Sequence, residues 1–330
     1  MKSPLSPAAF EGLDRPDSLL NQTAGATPQA DPFCCRSEWQ FSFHEAFSPQ
    51  RELHFRASAG SLLAVAQRWH PRVGTLIEPI ESSWFFGCPL LGPDAALLLG
   101  AFLGEEEHRN APPFVLLCGL LPGSKLMRSV AGTFSRRFEV VRLAPAILRS
   151  ASLAGGVDGF LSRRSSRFRY NLRRAARRAA EGGVSFERQR PSCVAEAEAV
   201  YERMLRVEQA SWKGIARCGM AEPQASDFYR LMLRRLSASG SARVIFARNG
   251  ERDIGFVFGG IAGPYYRGQQ FSYADECRAL SIGNLLQLEQ IGWLCEDGVA
   301  RYDMGPRMDY KLHWTELELR SEARLLRPRS

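Results

Sequence analysis

The run from Phe271 to Trp314, FSYADECRALSIGNLLQLEQIGWLCEDGVARYDMGPRMDYKLHW, leaves the chain the fewest structural choices. It reads as a strand, a glycine-containing turn, an amphipathic helix over 284–297, a second strand over 300–304, then a glycine followed by Tyr310 and Lys311. Two strands joined through a helix are half of a ligand-binding α/β unit. A helix that opens just after a strand and a Ser-Ile-Gly-Asn turn points free backbone N–H groups, and the positive end of its dipole, at whatever lies in front. Anionic or carbonyl-bearing ligands favour that spot.

The rest of the chain organises around this unit. With 330 residues, 45% of them apolar, it can bury a real core as one large domain or two ordinary ones. Residues 38–44 and 53–57 are expected as strands, 60–69 as a helix, 74–87 as an extended run and 93–106 as a helix. A buried strand is expected at 114–121, a helix at 125–134 and a strand at 137–144. The second half is expected to hold a strand at 184–188, helices at 192–212 and 224–238, and a hairpin turning at Asn249-Gly250. Strands alternating with helices argue for α/β architecture. Residues 1–36, rich in Pro, Ser, Ala and Gly and without periodicity, are expected as a flexible lead-in. Residues 37–150 then form a first half and 151–330 a second.

Composition narrows the function classes. No apolar run approaches the roughly 20 residues a membrane-spanning helix needs, so no membrane insertion is expected. No basic segment followed by an apolar one marks a signal peptide, and a cytoplasmic location is expected. The cysteines form no C-x-x-C pair; reduced, mostly buried thiols are expected and no metal site. The P-loop, dinucleotide-binding, hydrolase-elbow and zincin motifs are all missing from the sequence.

The charge is localised. From Arg163 to Arg178 the chain reads RRSSRFRYNLRRAARR, eight arginines and no acid, which accounts for the whole formal net charge of +8. One basic helix over 158–181 is expected, with Leu161, Phe168, Leu172, Ala175 and Ala179 as its apolar stripe, Asp158 as its cap and Gly182-Gly183 as its stop. Its outer face is either a solvated surface, a phosphate-binding face or a tRNA contact.

Four segments carry a family resemblance: FLSRRSSRFRYNLRRAARRAAEGG, EQASWKG at 208–214, SIGNLLQLEQIGWLCEDGV and RYDMGPRMDYKLHWTE. The second half resembles GNAT acyltransferases, and more closely the CelD/BioF2-type branch related to FemAB-type transferases. The resemblance covers roughly residues 155–318 and implies an α/β (α+β GNAT-like) fold. It implies two tandem GNAT-like halves with mixed, mostly antiparallel sheets. It further implies an activated acyl donor, most directly acyl-CoA as co-substrate, and a cell-envelope or natural-product setting. One departure bears on the donor. The usual acetyl-CoA loop carries several glycines, whereas Leu280-Ser281-Ile282-Gly283-Asn284 holds one. That leaves room for aminoacyl-tRNA, as in FemAB-like relatives.

Acyl transfer to an amine needs a carbonyl polariser, a base for the ammonium proton and an acid for the leaving group. Ser281, Ile282, Gly283 and Asn284 are the candidate donor cradle, with a plain helix cap as the alternative; Arg173 and Arg174 are candidates for donor phosphates. Asp303, Tyr310 and Lys311 follow one another at the end of a strand, where α/β sheets place ligands. Tyr310 suits the acid and Lys311 a phosphate or oxyanion contact. Glu208, Trp212 and Lys213 share a helix end, with Glu208 a candidate base and Trp212 a pocket wall. Tyr273 and Asp275 end the strand before the glycine turn and are candidates to face the acceptor. Three functions stay open on these residues: an N-acyltransferase acting on a small primary amine or amino-sugar, an aminoacyl-tRNA-dependent aminoacyltransferase, or a non-catalytic nucleic-acid or partner-binding module. Direct transfer is expected rather than a covalent acyl-enzyme, and the sequence leaves the oligomeric state open.

Overall fold

In the computed structural model, which describes residues 16–107 and 111–329, the chain divides at Ile147. The first unit ends there but takes back the C-terminal strand from Leu319; the second unit is Leu148–Glu318.

The first unit holds helices α1 (Pro16–Ala26) and α2 (Ser37–Phe47), then strands β1 (Glu52–Ser58), β2 (Ser61–His70), β3 (Gly74–Pro79) and β4 (Leu90–Leu91). Helix α3 (Ala95–Glu107), β5 (Phe114–Leu120), α4 (Lys125–Phe134) and β6 (Phe138–Arg142) follow. Strands β1, β2 and β3 pair antiparallel in sequence, and β3 pairs with β5 in parallel across α3. Leu99, Phe102 and Leu103 of α3 pack on Val65, Ile77 and Val115 of these strands.

The second unit opens with β7 (Ala146–Ser152), α5 (Gly156–Ser162), α6 (Ser166–Glu181) and β8 (Val184–Gln189). Helices α7 (Val194–Gln209), α8 (Trp212–Ile215) and α9 (Pro223–Ala238) precede β9 (Ala242–Asn249), β10 (Arg252–Ala262) and β11 (Tyr265–Tyr273). Helix α10 (Ile282–Glu296) leads to β12 (Arg301–Pro306), and β13 (Leu317–Pro328) returns to pair with β5 and β6. The sheet of this unit runs β7-β12-β11-β10-β9-β8 and is antiparallel except at β11–β12. The order β9-β10-β11-α10-β12 therefore repeats β1-β2-β3-α3-β5, including the single parallel step after the helix.

Local chemistry explains most of these elements. The hairpin at 249–252 forms, but Asn249 is its last strand residue, pairing with Arg252. Gly250 then takes the first turn position at φ 58°, where glycine costs least. The expected single basic helix is two: Ser165 breaks it and caps α6 by accepting from Phe168 N at 3.2 Å. Asp158 sits in the first turn of α5 instead of capping the long helix. Ser211 likewise ends the 192–212 run and caps α8.

Three other expectations are corrected. Residues 38–44 are helical, because Ser37 through His44 are buried on every side and no helical stripe shows in sequence. Residues 61–70 are a strand, because its first six positions are all buried and alternation is lost. The lead-in is ordered over 16–36: Leu20 and Ala24 of α1 join the first unit's core, and Cys34 and Cys35 are buried. Residues 1–15 of that expected segment lie outside the described residues. Cys34, Cys35, Cys88 and Cys118 are buried whereas Cys193 and Cys218 are exposed. No helix among the described residues is long and apolar enough to cross a membrane.

Candidate active site

Strands β11 and β12 pair only from Tyr265–Arg301 to Arg267–Asp303. Beyond that register they part, and α10 starts from the carboxyl end of β11. A pocket of about 650 Å³ lies at this end of the sheet. Its walls are Gln269–Tyr273 of β11, Ser281, Gly283, Asn284 and Gln287 at the head of α10, and Met308, Tyr310, Lys311 and Trp314 beyond β12. Trp212, Lys213 and Gly219 close another side.

Trp212, Lys213, Tyr273, Ser281, Gly283, Asn284, Tyr310 and Lys311, all singled out from sequence, meet on this one surface. The others stand elsewhere. Ile282 is buried among Ile245, Val257 and Leu286, so its side chain is core and its backbone N–H heads the helix. Asp303 is buried and ion-paired with Arg267 at 3.3 Å. Asp275 is exposed, and its backbone N–H donates to Ala210 O at 3.0 Å. Arg173 and Arg174 lie on the exposed face of α6. Gln269, Gln270, Phe271, Ser272, Gln287, Met308 and Trp314 line the pocket without having been foreseen. The period-2 pattern of β11 holds no chemical signal that separates them from ordinary strand residues.

The head of α10 is shaped by two backbone facts. Ser281 adopts φ 59°, the left-handed conformation that glycine takes without strain. At Gly283 a Cβ would come within 3.1 Å of the Phe271 and Tyr273 rings, so any larger residue there would press on both rings. Asn284 N and Leu285 N donate to Ser281 O at 3.0 and 3.3 Å, so the N–H groups of Ile282 and Gly283 are the ones that head α10 without a carbonyl one turn back.

Glu208 is fully buried one layer behind the wall. Its carboxylate accepts from Ser272 Oγ and from Met220 N at 3.1 Å. Lys213 Nζ lies 3.7 Å from it and donates to Gln270 Oε1 at 3.0 Å and Phe271 O at 2.8 Å. Burial lowers the Lys213 amine, and Glu208 opposes the fall. Ser272, the hydrogen-bond partner of Glu208, is itself among the residues that line the pocket. Lys311 is buried, with Nζ donating to Pro306 O at 2.9 Å. Burial brings its amine down to about 8; Arg267 adds to the fall and Asp303 resists it. Burial pushes the Tyr310 hydroxyl up to about 12, so it is protonated at neutral pH. The Tyr310 ring meets Phe271 edge-on, with centroids 6.0 Å apart.

Helices α5 and α6 support the same wall. Trp314 is gripped between Phe160, stacked at 6.1 Å, and Phe168, edge-on at 5.0 Å. Arg163 and Arg164 both pair with Glu316. Further along, Ala175 and Ala179 pack against Leu285 in the first turn of α10. For Arg167, Arg173, Arg174, Arg177 and Arg178, exposed on α6, no ion pair is recorded among the described residues. Among those residues, too, no group of three or more His, Cys, Asp or Glu side chains is placed to hold a metal ion.

Residues 166–312, from the start of α6 to the Tyr310-Lys311 segment, match the family model described as an acetyltransferase (GNAT) domain. Over those residues the second unit is similar to a GNAT domain. No curated protein matches the chain in sequence. Among solved structures, FemX superimposes with a TM-score of 0.63 at 10% identity, covering 94% of this chain and 96% of that one. A conserved protein of unknown function from Bacteroides thetaiotaomicron VPI-5482 gives the same values, TM-score 0.63, 10% identity, 94% and 96%. L-PGS from Bacillus licheniformis gives 0.57 at 12% identity, over 100% of this chain and 94% of that one. At such identities the likeness is one of fold, and it extends over both units. The chain thus has a GNAT-like fold, and the pocket just described is where its second unit gathers reactive side chains.

Proposed function

We propose that the chain is an N-acyltransferase that passes an acyl group from an activated donor, in the first place an acyl-CoA, directly to a primary amine of a small molecule or amino-sugar. The observation that carries this reading is the convergence of the head of α10, neutral Tyr310, buried Lys311 and the Ser272–Glu208 pair on one pocket. The residues present fit such a donor: Gly283 lines the pocket, and helix-start N–H groups suit carbonyl or phosphate oxygen. Arg173 and Arg174 stand on α6, which packs against the same helix start.

In the transfer the amine nitrogen attacks the donor's acyl carbon. The C–N bond forms as the bond to the leaving sulfur or oxygen breaks. Ser272 Oγ takes a proton from the attacking nitrogen and hands its own to Glu208. Tyr310 supplies a proton to the leaving group and recovers one from solvent. The N–H groups at the start of α10, with the Lys311 ammonium, stabilise the charge that develops on the carbonyl oxygen. The setting would be the cytoplasm, the compartment of the donor.

The direct test is thiol release from acetyl-CoA and longer acyl-CoAs over a panel of primary amines. A donor that binds only the folded chain also raises its unfolding midpoint, by about 2.7 kcal/mol at 100 times its Kd. No release and no shift with any acyl-CoA removes this reading.

One observation favours a second reading, aminoacyl-tRNA-dependent aminoacyl transfer. The unpaired arginines of α6 run beside the head of α10, where a nucleic acid carrying an aminoacyl end would need cationic contacts. The whole-chain likeness to FemX and L-PGS is in keeping with it.

A further inference from the structure

A second, smaller chamber of about 50 Å³ adjoins the main pocket and shares Gln269, Gln270, Phe271, Gln287, Tyr310 and Lys311 with it. Tyr302 and Met304 of β12 form its far side. Several hydrogen-bond donors on its lining residues have no partner among the described residues. Gln270 is engaged at both ends, its Oε1 accepting from Lys213 Nζ at 3.0 Å and its Nε2 donating to Tyr229 Oη at 2.6 Å. Gln287 Oε1 accepts from Tyr302 Oη at 2.6 Å, which leaves the Gln287 amide N–H groups. Gln269 Nε2 is buried from water and has no hydrogen-bond partner at all. Lys311 spends one N–H on Pro306 O and keeps the others. The donors that remain around the chamber are the amide N–H groups of Gln269 and Gln287 and the other ammonium N–H groups of Lys311.

The charge has the same sign. Arg267 and Asp303 pair at 3.3 Å behind the chamber and offset one another, which leaves the Lys311 ammonium. A buried donor without a partner is costly, by about 1–3 kcal/mol, and native folds retain few of them. The group that satisfies several convergent donors beside one cation, in a space of a few heavy atoms, is a singly charged anion that only accepts hydrogen bonds.

We propose that this chamber is a carboxylate subsite, so that the molecule worked on in the main pocket carries a carboxylate as well as its reacting group. The inference rests on the acyl-transfer reading for its setting, and Gln269 is its specificity-determining residue. The carboxylate belongs either to the amine, as in an amino acid, or to the acyl group, as in the half-thioester of a dicarboxylic acid.

The test titrates the full chain with alanine, leucine and phenylalanine, each against its carboxamide, and with succinyl-CoA against acetyl-CoA. The same titrations are run on Gln269→Met and Gln269→Glu, whose unfolding midpoints report whether they fold. The expected result is that one arm binds its carboxylate member about tenfold or more tightly than the neutral one. Gln269→Met should erase that preference and Gln269→Glu reverse it, with the neutral member's affinity unchanged in both. The amino-acid arm responding assigns the carboxylate to the acceptor; the succinyl-CoA arm responding assigns it to the donor. No preference in either arm, or one that survives both substitutions in folded protein, overturns the proposal. Thiol release with amines but no carboxylate preference removes the subsite alone. A Gln269-dependent preference without any transfer keeps the subsite and removes the acyl-transfer reading.

Discussion

Burial brings the Lys311 amine from its ordinary 10.5 down to about 8. The folded chain therefore gives up this proton at a lower pH than the unfolded chain does. Between about pH 8 and 10.5 the unfolded state holds more protons, so stability rises with pH across that window. Below it the full cost of burying the charged amine is felt, on the order of 3 kcal/mol. Urea unfolding of the wild type and Lys311→Met from pH 7 to 10.5 reads this directly: the difference between them should move in the wild type's favour as pH rises. A constant difference would show that Lys311 titrates normally. Glu208 allows a separate test. Glu208→Gln keeps the shape of the side chain and removes the proton acceptor, so kcat should fall by about 10²-fold or more with the fold intact. Glu208→Ala should instead destabilise by about 3 kcal/mol, since Met220 N and Ser272 Oγ lose their buried partner. Equal losses of activity and stability in Glu208→Gln would make the residue a brace only. Tyr310 and Lys311 were legible in sequence because a phenol and an amine close behind a strand-ending glycine are chemically conspicuous. Gln269 and Gln287 were not, since a carboxamide gains meaning only from what its neighbours have already used. Nor could sequence show that Glu208 sits behind Ser272, because that depends on the register of β11 against α7.

Element by element, what could be read was what carries its own punctuation. Ser124 caps α4 by accepting from Met127 N at 3.2 Å, and Gly250 turns the β9–β10 hairpin. These signals act within a few residues and survive any tertiary context. Helix α2 and strand β2 were misread because Ser37–His44 and the first six residues of β2 are buried throughout, and a fully buried segment shows neither a 3.6 nor a 2.0 period. The head of α10 falls between these cases. Its single glycine was visible, but Ser281 holding a glycine-like φ of 59° was not. That strain gives a prediction: Ser281→Gly should raise stability by up to about 1 kcal/mol, since glycine takes this conformation freely. Differential scanning calorimetry decides it, and a fall in unfolding temperature would mean the Ser281 side chain makes a contact worth more than the strain. The joint between α6 and α10 gives another. Ala175 and Ala179 are 3% and 2% exposed against Leu285, so Ala179→Leu overpacks the contact. A cost of about 1–3 kcal/mol is expected, together with weaker donor binding, because the helix start shifts with it. Weaker donor binding without a loss of stability would place Ala179 in contact with the donor itself.

Across the whole molecule, one topology occurs twice, and only the second copy gathers the reactive side chains described here. In the first unit the corresponding stretch between β3 and α3 is occupied from within. The Glu81 carboxylate accepts from Ser83 N at 2.7 Å and Phe86 N at 3.2 Å, with Trp84 N and Phe85 N also donating. The backbone donors of Ser83 to Phe86 in that stretch are thus filled by the chain's own acid. The charge of the molecule is just as unevenly placed: the arginines of 163–178 equal the whole net charge of +8. Arg163 and Arg164 are held by Glu316 and Arg169 by the carbonyls of Leu161 and Arg164, so they stiffen the wall that carries Trp314. Arg167, Arg173, Arg174, Arg177 and Arg178 are the ones turned to solvent. Their number sets what each donor class must show. A charged tRNA lying on that face would exchange counterions for arginines, and its affinity would fall with salt by about 0.7–0.9 of a decade, per decade of salt, for each phosphate met. Changing Arg173 and Arg174 to glutamine should then lower that slope by about 1.5 and weaken all tRNAs alike. An acyl-CoA held mainly by the helix start and the pocket would show a shallow slope, and the double substitution would change its Kd by less than about tenfold. Measuring both ligands on both proteins between about 50 and 200 mM salt separates the readings. A steep slope for tRNA that flattens in the variant moves the chain to the aminoacyl-tRNA class. A shallow acyl-CoA slope with no specific tRNA binding leaves the exposed arginines as a solvated helix face beside a small-molecule acyltransferase.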